Sequence, residues 1–218
     1  MVDQMQIGVR VPPCRPAHEL AAFATTVEAA GFDTLYVPDS QTLWRDAFLT
    51  LYSAALQTSR LRLATAVSNV VTRHPSVVAG LARSIDEVAP GRFVLGLGVG
   101  HSSVEPIGMP PSKGTELRDG VDQIRRLVRG EDVQYGEATA RLRDARPDGV
   151  PAQVVGDRGD PDTAVDAVVD DDPVAPRGVV VLRQHHAVGG RPDRGAAAGP
   201  EVDAVVQGPV TPDRVGAP

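Results

Sequence analysis

The 218-residue chain carries 22 Lys and Arg against 28 Asp and Glu, a formal charge of -6. Its cations are mostly arginines scattered among acids, so no basic stripe suited to a phosphate backbone forms and nucleic acid is not expected as a partner. One cysteine, Cys14, excludes a disulfide framework or a cysteine-rich metal site within one chain. The start MVDQMQIGV has no basic segment leading into a long apolar one, and no apolar run reaches the roughly 18 residues that span a bilayer, so a soluble, cytoplasmic protein without a membrane partner is expected.

Gln6 to Val11 (QIGVRV), closed by Pro12 and Pro13, reads as a first strand and its loop. From His18 to Ala30 the apolar Leu20, Phe23, Ala24, Val27 and Ala30 recur at spacings of three and four, which predicts an amphipathic helix. Gly31 stands where a left-handed C-terminal cap is wanted. Thr34 to Val37 is a second strand ending in the polar loop Pro38 to Thr42. A helix from about Asp46 to Gln57 follows, and then Leu61 to Val67 as a third strand. Ser76 to Val88 is a third helix, broken by Pro90 and Gly91, and Arg92 to Gly98 is a fourth strand. Serial βα units with short connections imply parallel strands and right-handed crossovers, hence an α/β fold. A long loop, Val99 to Thr115, leads to a helix at about Glu116 to Arg129, with Leu117, Val121, Ile124, Leu127 and Val128 on one face. Asp132 to Tyr135 is a short β-like extension.

The organisation then changes. From Ala138 onward there is no Phe, Tyr, Trp, Ile, Met, Ser, Lys or Asn, and no helix-length amphipathic pattern survives between the prolines. The expected division is therefore residues 1–137 as the folded α/β part and 138–218 as a low-complexity tail of Ala, Val, Gly, Pro, Arg and Asp. Two readings of the tail stand side by side. It is a flexible proline-rich segment, because such composition does not offset chain entropy; or it is an out-of-frame translation of GC-rich DNA, whose G/C-only codons encode Ala, Gly, Pro and Arg.

Gly96, Gly98 and Gly100, in GLGVGHSS, close the fourth strand. A dinucleotide fingerprint requires G-x-G-x-x-G opening directly into a helix. Here the third glycine comes one position early and a proline-containing loop is expected, so that pattern is not met. The glycines either let something flat approach the strand end or relieve packing in a barrel mouth. Thr72, Arg73, His74 and Pro75 read either as a hydrogen-bonded structural turn or as part of a site.

Taken together, AHELAAFATTVEAAGFDTLYVPDS, LRLATAVSNVVTRHP, APGRFVLGLGVGHS and ELRDGVDQIRRLV resemble the luciferase-like monooxygenase superfamily, in particular its branch of oxidoreductases using the 8-hydroxy-5-deazaflavin coenzyme F-420. The resemblance runs from about Gln6 to Glu137. It implies a TIM (β/α)8 barrel of the bacterial-luciferase-like type, with the active site at the C-terminal ends of the strands. It also implies a non-prolyl cis peptide at about Ala66 and Val67, behind the coenzyme ring. Ser40, Ala66, Val67, Ser68, Asn69, Gly98, Val99, Gly100 and His101 would lie against the coenzyme, and Asp39, Trp44 and Glu105 would be catalytic. Set against these roles, Asp39 reads equally as a loop-capping carboxylate and Trp44 as a packing anchor.

The activity implied is hydride transfer between the deazaflavin and a small organic substrate. With FMN as the alternative cofactor, the reaction would be an oxygenation. Ser40 stands where relatives acting on alcohols and sugar phosphates have a histidine, and an unactivated serine does not serve as a base near neutral pH, so alcohol dehydrogenation is not expected.

A complete barrel of this kind needs about 250 residues, and only the first four strands of one are legible here. A half barrel leaves the edges of its first and fourth strands unpaired and an apolar face uncovered. This predicts association, as a homo-oligomer or with a related barrel subunit, and weak or absent coenzyme binding. A non-catalytic half-barrel subunit that assembles with a full-length paralogue is the competing reading.

Overall fold

The computed structural model describes residues 6–143, 153–156 and 203–207. In chain order these form β1 (Gln6–Arg10), α1 (Ala17–Ala29), β2 (Thr34–Val37), α2 (Ala47–Ala55), β3 (Arg62–Thr65), a two-residue β4 (Ser68–Asn69), α3 (Pro75–Val88), β5 (Phe93–Gly98) and a short α4 (His101–Val104). A 3-10 turn (Glu105–Ile107), α5 (Gly114–Val128), the hairpin β6 (Val133–Tyr135) and β7 (Ala138–Ala140), β8 (Gln153–Gly156) and β9 (Asp203–Gln207) complete them.

Strands β1, β2, β3 and β5 lie side by side and parallel, as the βα alternation predicts. Their registers set Val9 beside Leu35, Leu35 beside Leu63 and Leu63 beside Phe93. This row packs with Leu20, Ala24 and Val27 of α1, Phe48 and Leu51 of α2, Val78 and Ile85 of α3, and Ile124 of α5 in one buried core. The next residue along each strand gives the row Tyr36, Ala64 and Val94, which with Ala66 forms a second, smaller cluster. Because side chains alternate with a period of two, that second row faces away from the helices. The helical covering of one face and the small residues on the other are the pattern of a (β/α) barrel wall.

Side chains outside the ladder fix the entry of β3. Glu28 on α1 accepts the backbone N–H groups of Ser59, Arg60 and Leu61 at 3.0, 2.7 and 2.8 Å. Burial pushes this carboxyl up, but the three amides and the Ser59 hydroxyl outweigh it and the net shift is downward. The Arg92 guanidinium donates to the carbonyls of Ala55, Thr58 and Leu61 at 3.1, 3.0 and 3.0 Å, gathering the C-terminal end of α2 and the start of β3.

Two expectations are corrected. The edges of the first and fourth strands are not left unpaired: β9 runs antiparallel along all of β1, and β8 adds in parallel to Val94–Leu97 of β5. The β8 segment takes the place next to β5 where a fifth barrel strand belongs. Among the described residues the sheet is an open arc from β8 to β9. The loop expected from Val99 to Thr115 contains α4 and the 3-10 turn, which are too short to show a period in sequence. Most of the 138–218 segment, and with it the choice between its two readings, lies outside the described residues. Among the described residues no helix is long and apolar enough to cross a membrane.

Candidate functional site

The site begins where β3 breaks. Pairing runs from Ala64 beside Val94 to Ser68 beside Leu97, four residue steps on one strand against three on the other, so one extra residue bulges out. The peptide between Ala66 and Val67 is cis, at the position the family resemblance implied. Thr65 bridges the interruption with its side chain: its Oγ1 donates to the Gly96 carbonyl and accepts from the Gly96 N–H, both at 2.8 Å. The strand expected over Leu61 to Val67 therefore stops at Thr65, and pairing resumes beyond the expected range at Ser68–Asn69.

Around the bulge the carboxyl ends of β2, β4 and β5 form a hydrogen-bonded rim. The Ser68 hydroxyl donates to Asp39 Oδ2 at 2.6 Å, and Arg73 approaches both Asp39 oxygens at 3.4 Å. The same guanidinium donates to Asp46 Oδ2 at 2.8 Å and lies 5.1 Å from the centre of the Phe48 ring. Asp46 caps α2 through its other oxygen, which accepts the Leu49 N–H at 2.9 Å. Burial pushes the Asp46 carboxyl up, but the Leu49 amide and Arg73 outweigh it and hold it below its ordinary value. Burial likewise depresses Arg73, while the Asp39 and Asp46 carboxylates raise it on balance.

On the other side, Ser40 Oγ donates to the Ser102 carbonyl at 3.1 Å and Gln41 Nε2 to the Ser103 carbonyl at 2.6 Å. Asn69 spends its whole amide on the rim. Its Nδ2 donates to Ser103 Oγ at 2.9 Å, and its Oδ1 accepts the Val71 and Thr72 N–H groups at 3.0 and 2.8 Å. Asp39, Ser40, Ser68, Asn69 and Ser103 are all buried.

The glycines of β5 resolve in favour of packing within the mouth. A Cβ on Gly96 would collide with the Thr65 carbonyl oxygen, and one on Gly98 would come within 2.8 Å of Val67 Cγ2. Gly100 turns the chain into α4 with φ +98°, and a Cβ there would sit 3.0 Å from Asn69 Cβ. The glycines thus let the bulge and β5 approach each other.

Asp39, Ser40, Ser68, Asn69, Gly98 and Gly100 therefore converge. Ala66 is buried with Tyr36, Ala64 and Val94, while Val67 and Val99 are half-buried. Trp44 is half-buried, with its backbone N–H on the Ser40 carbonyl at 2.9 Å. Glu105, expected to be catalytic, pairs with His101: Nδ1 and Oε1 are 3.0 Å apart on the exposed side of α4. Arg73, Asp46 and Ser103 were missed from sequence. Arg73 lay inside a motif whose structural and functional readings could not be separated without the partners it meets. For His74 the structure gives a structural role, since it caps α3 by accepting the Ser76 N–H at 3.3 Å and packs 4.7 Å from the Tyr135 ring.

At the mouth Ala66 and Gly98 are buried and Val67 is half-buried, and the Ser40 and Ser68 hydroxyls and the Asn69 amide beside them are held by Ser102, Asp39, Ser103 and the Val71 and Thr72 N–H groups. Small apolar residues flanked by hydroxyl and amide groups are the kinds of group that border a planar heteroaromatic ring.

Comparison with known proteins agrees with this architecture. The luciferase-like monooxygenase family model matches residues 2–210. The chain is similar to 5,10-methylenetetrahydromethanopterin reductase of Methanolobus tindarius, with 30% identity over 131 residues covering 59% of this chain and 40% of the relative. It is also similar to the F-420-dependent glucose-6-phosphate dehydrogenase of Beutenbergia cavernae, with 36% identity over 147 residues covering 60% of this chain and 44% of the relative. The solved structure of the coenzyme F-420 dependent tetrahydromethanopterin reductase from Methanopyrus kandleri shares the fold, with a TM-score of 0.60 and 19% identity over 71% of this chain and 50% of that one. The matched region spans less than half the length of either curated relative. With a family match over nearly its full length and a parallel (β/α) arc bulged at the end of β3, the chain belongs to the luciferase-like monooxygenase family.

Proposed function

We propose that this chain is an oxidoreductase that transfers a hydride between the deazaflavin coenzyme F-420 and a small organic substrate. The observation that carries the reading is the convergence of Asp39, Ser68 and Asn69 with the glycines of β5 at one strand-end mouth. The similarity to two reductase and dehydrogenase relatives, one of them named F-420-dependent, supports deazaflavin as the coenzyme.

In this reading Ala66, Val67, Ser68 and Asn69 back the ring, and Ser40, Gly98, Val99, Gly100 and His101 line its rim. When bound, the deazaflavin supplies hydride acceptance and donation at its C5 carbon. The chain's own residues supply position and charge. Asp39 has both oxygens engaged by donors, so its part is that of a fixed negative charge. Trp44 provides an aromatic wall, and Glu105, paired with His101, stands at the solvent edge.

The expectation of weak binding rested on unpaired strand edges and on an apolar face uncovered by a missing half barrel; the pairing of both edges bears on the first ground alone. Titration of the purified chain with F-420, followed by coenzyme absorbance and fluorescence, tests the proposal. A saturable change at one coenzyme per chain is expected. Saturable binding of FMN with no response to F-420 would replace it with the oxygenase reading.

A further inference from the structure

One guanidinium grips both ends of the loop that carries the chain's single tryptophan. Residues 38–46 connect β2 to α2, with Asp39 in second place and Asp46, the N-cap of α2, at the end. Arg73 reaches them from the β3 to α3 connection. Its Nε lies 3.4 Å from Asp39 Oδ2, and its Nη2 lies 3.4 Å from Asp39 Oδ1 and 2.8 Å from Asp46 Oδ2. Phe48, in the first turn of α2, packs against the guanidinium at 5.1 Å.

The groups are partly shielded from water, Asp46 least of the three with its side chain 33% exposed. The Arg73 side chain is 21% exposed and that of Asp39 only 4%, so the charges interact in a medium of low effective dielectric. A guanidinium is planar, permanently charged and presents its donors in a fixed fork, so it holds two carboxylates at set positions; an ammonium group is a single point charge and does not. Near its C-terminal end the same loop is tied to the loop after β1, where the Arg45 N–H meets the Pro13 carbonyl at 3.2 Å and its Nη1 the Cys14 carbonyl at 2.6 Å. Trp44 thus sits on a strap whose two end carboxylates meet the same guanidinium.

We propose that Arg73 is a positioning residue, which by joining Asp39 to Asp46 fixes the Trp44 loop as one wall of the coenzyme site. This rests on the assignment of Asp39 and Trp44 to that site. Nothing in the TRHP motif read alone assigns the role, because the two carboxylates lie 34 and 27 residues away in sequence.

Trp44 is its own reporter. Acrylamide quenching of Trp44 emission and F-420 titration are compared for the intact chain and for Arg73→Met, Arg73→Lys and Asp46→Asn. The last keeps a residue that caps helices well while removing the charge. In Arg73→Met the quenching constant is expected to rise about twofold and F-420 binding to weaken about tenfold. Arg73→Lys recovers only part of both effects, and Asp46→Asn shifts Trp44 in the same direction by less.

Wild-type quenching in a folded Arg73→Met protein would overturn the proposal. If that variant does not fold by circular dichroism, the other two decide, and wild-type quenching in both overturns it. Altered quenching in a chain that binds no F-420 upholds the clamp and removes the coenzyme reading. Equal F-420 affinity in the intact chain and Arg73→Met removes the positioning role and leaves the coenzyme reading standing.

Discussion

Asn69 shows how much one buried side chain can organise. Its amide satisfies Ser103 on one side and two backbone N–H groups on the other. Replacing it with alanine leaves the part-buried Val71 and Thr72 N–H groups without their acceptor, and a buried polar group without a partner costs about 1–3 kcal/mol. Asn69→Ala is therefore expected to lower stability by about 2 kcal/mol in urea denaturation, with a larger proportional loss of coenzyme affinity than a surface substitution produces. Glu28 acts at the same scale through charge. Its folded-state carboxyl is held below the ordinary value, so its stabilising contribution is complete above the usual carboxylate range and lost as pH falls through the lowered value. Glu28→Gln should thus be less stable than the intact chain at neutral pH, and the gap between their urea midpoints should close on acidification. A gap that stays constant from neutral to acidic pH would contradict this assignment.

Among the elements, the β3 to β4 bulge and the glycines of β5 form one unit. A Cβ on Gly96 meets backbone, the Thr65 carbonyl oxygen, whereas one on Gly98 meets the end of the Val67 side chain. Backbone does not move aside as a side-chain methyl does, and overpacking typically costs about 1–3 kcal/mol. Gly96→Ala should accordingly lower the thermal midpoint more than Gly98→Ala, and the reverse order would show that Val67 is the less yielding neighbour. The elements were legible in sequence to differing degrees. The helices from Ala17, Ala47, Pro75 and Gly114 begin within two residues of the positions their apolar spacing predicts. The bulge was not legible from periodicity, because Leu61 to Val67 alternates like one continuous strand; the apolar run meeting a polar patch without glycine required a sharp turn over Ala66 to Asn69, and the family resemblance placed a cis peptide there. α4 was read as loop, since four residues complete little more than one turn. The Arg73 bridge could not be seen, because spacing within a motif carries no information about partners brought in from another loop.

For the whole molecule, pattern was weakest where composition is most biased. β8 and β9 lie in the segment expected to be a tail, yet they pair with β5 and β1. Gln153–Gly156 and Asp203–Gln207 are short runs of valine and small or polar residues. What makes them strands is the ladder offered by a neighbouring edge rather than a strong periodicity of their own. Pairing at both edges covers backbone groups that a bare half barrel would expose, which is the physical basis for expecting the mouth at the ends of β2, β4 and β5 to work as a site. Amide hydrogen exchange on the intact chain, with and without F-420, tests that expectation most directly. The predicted result is coenzyme-dependent protection concentrated in residues 39–46, 66–73 and 98–103. Protection confined to other segments, or none at saturating F-420, would contradict it.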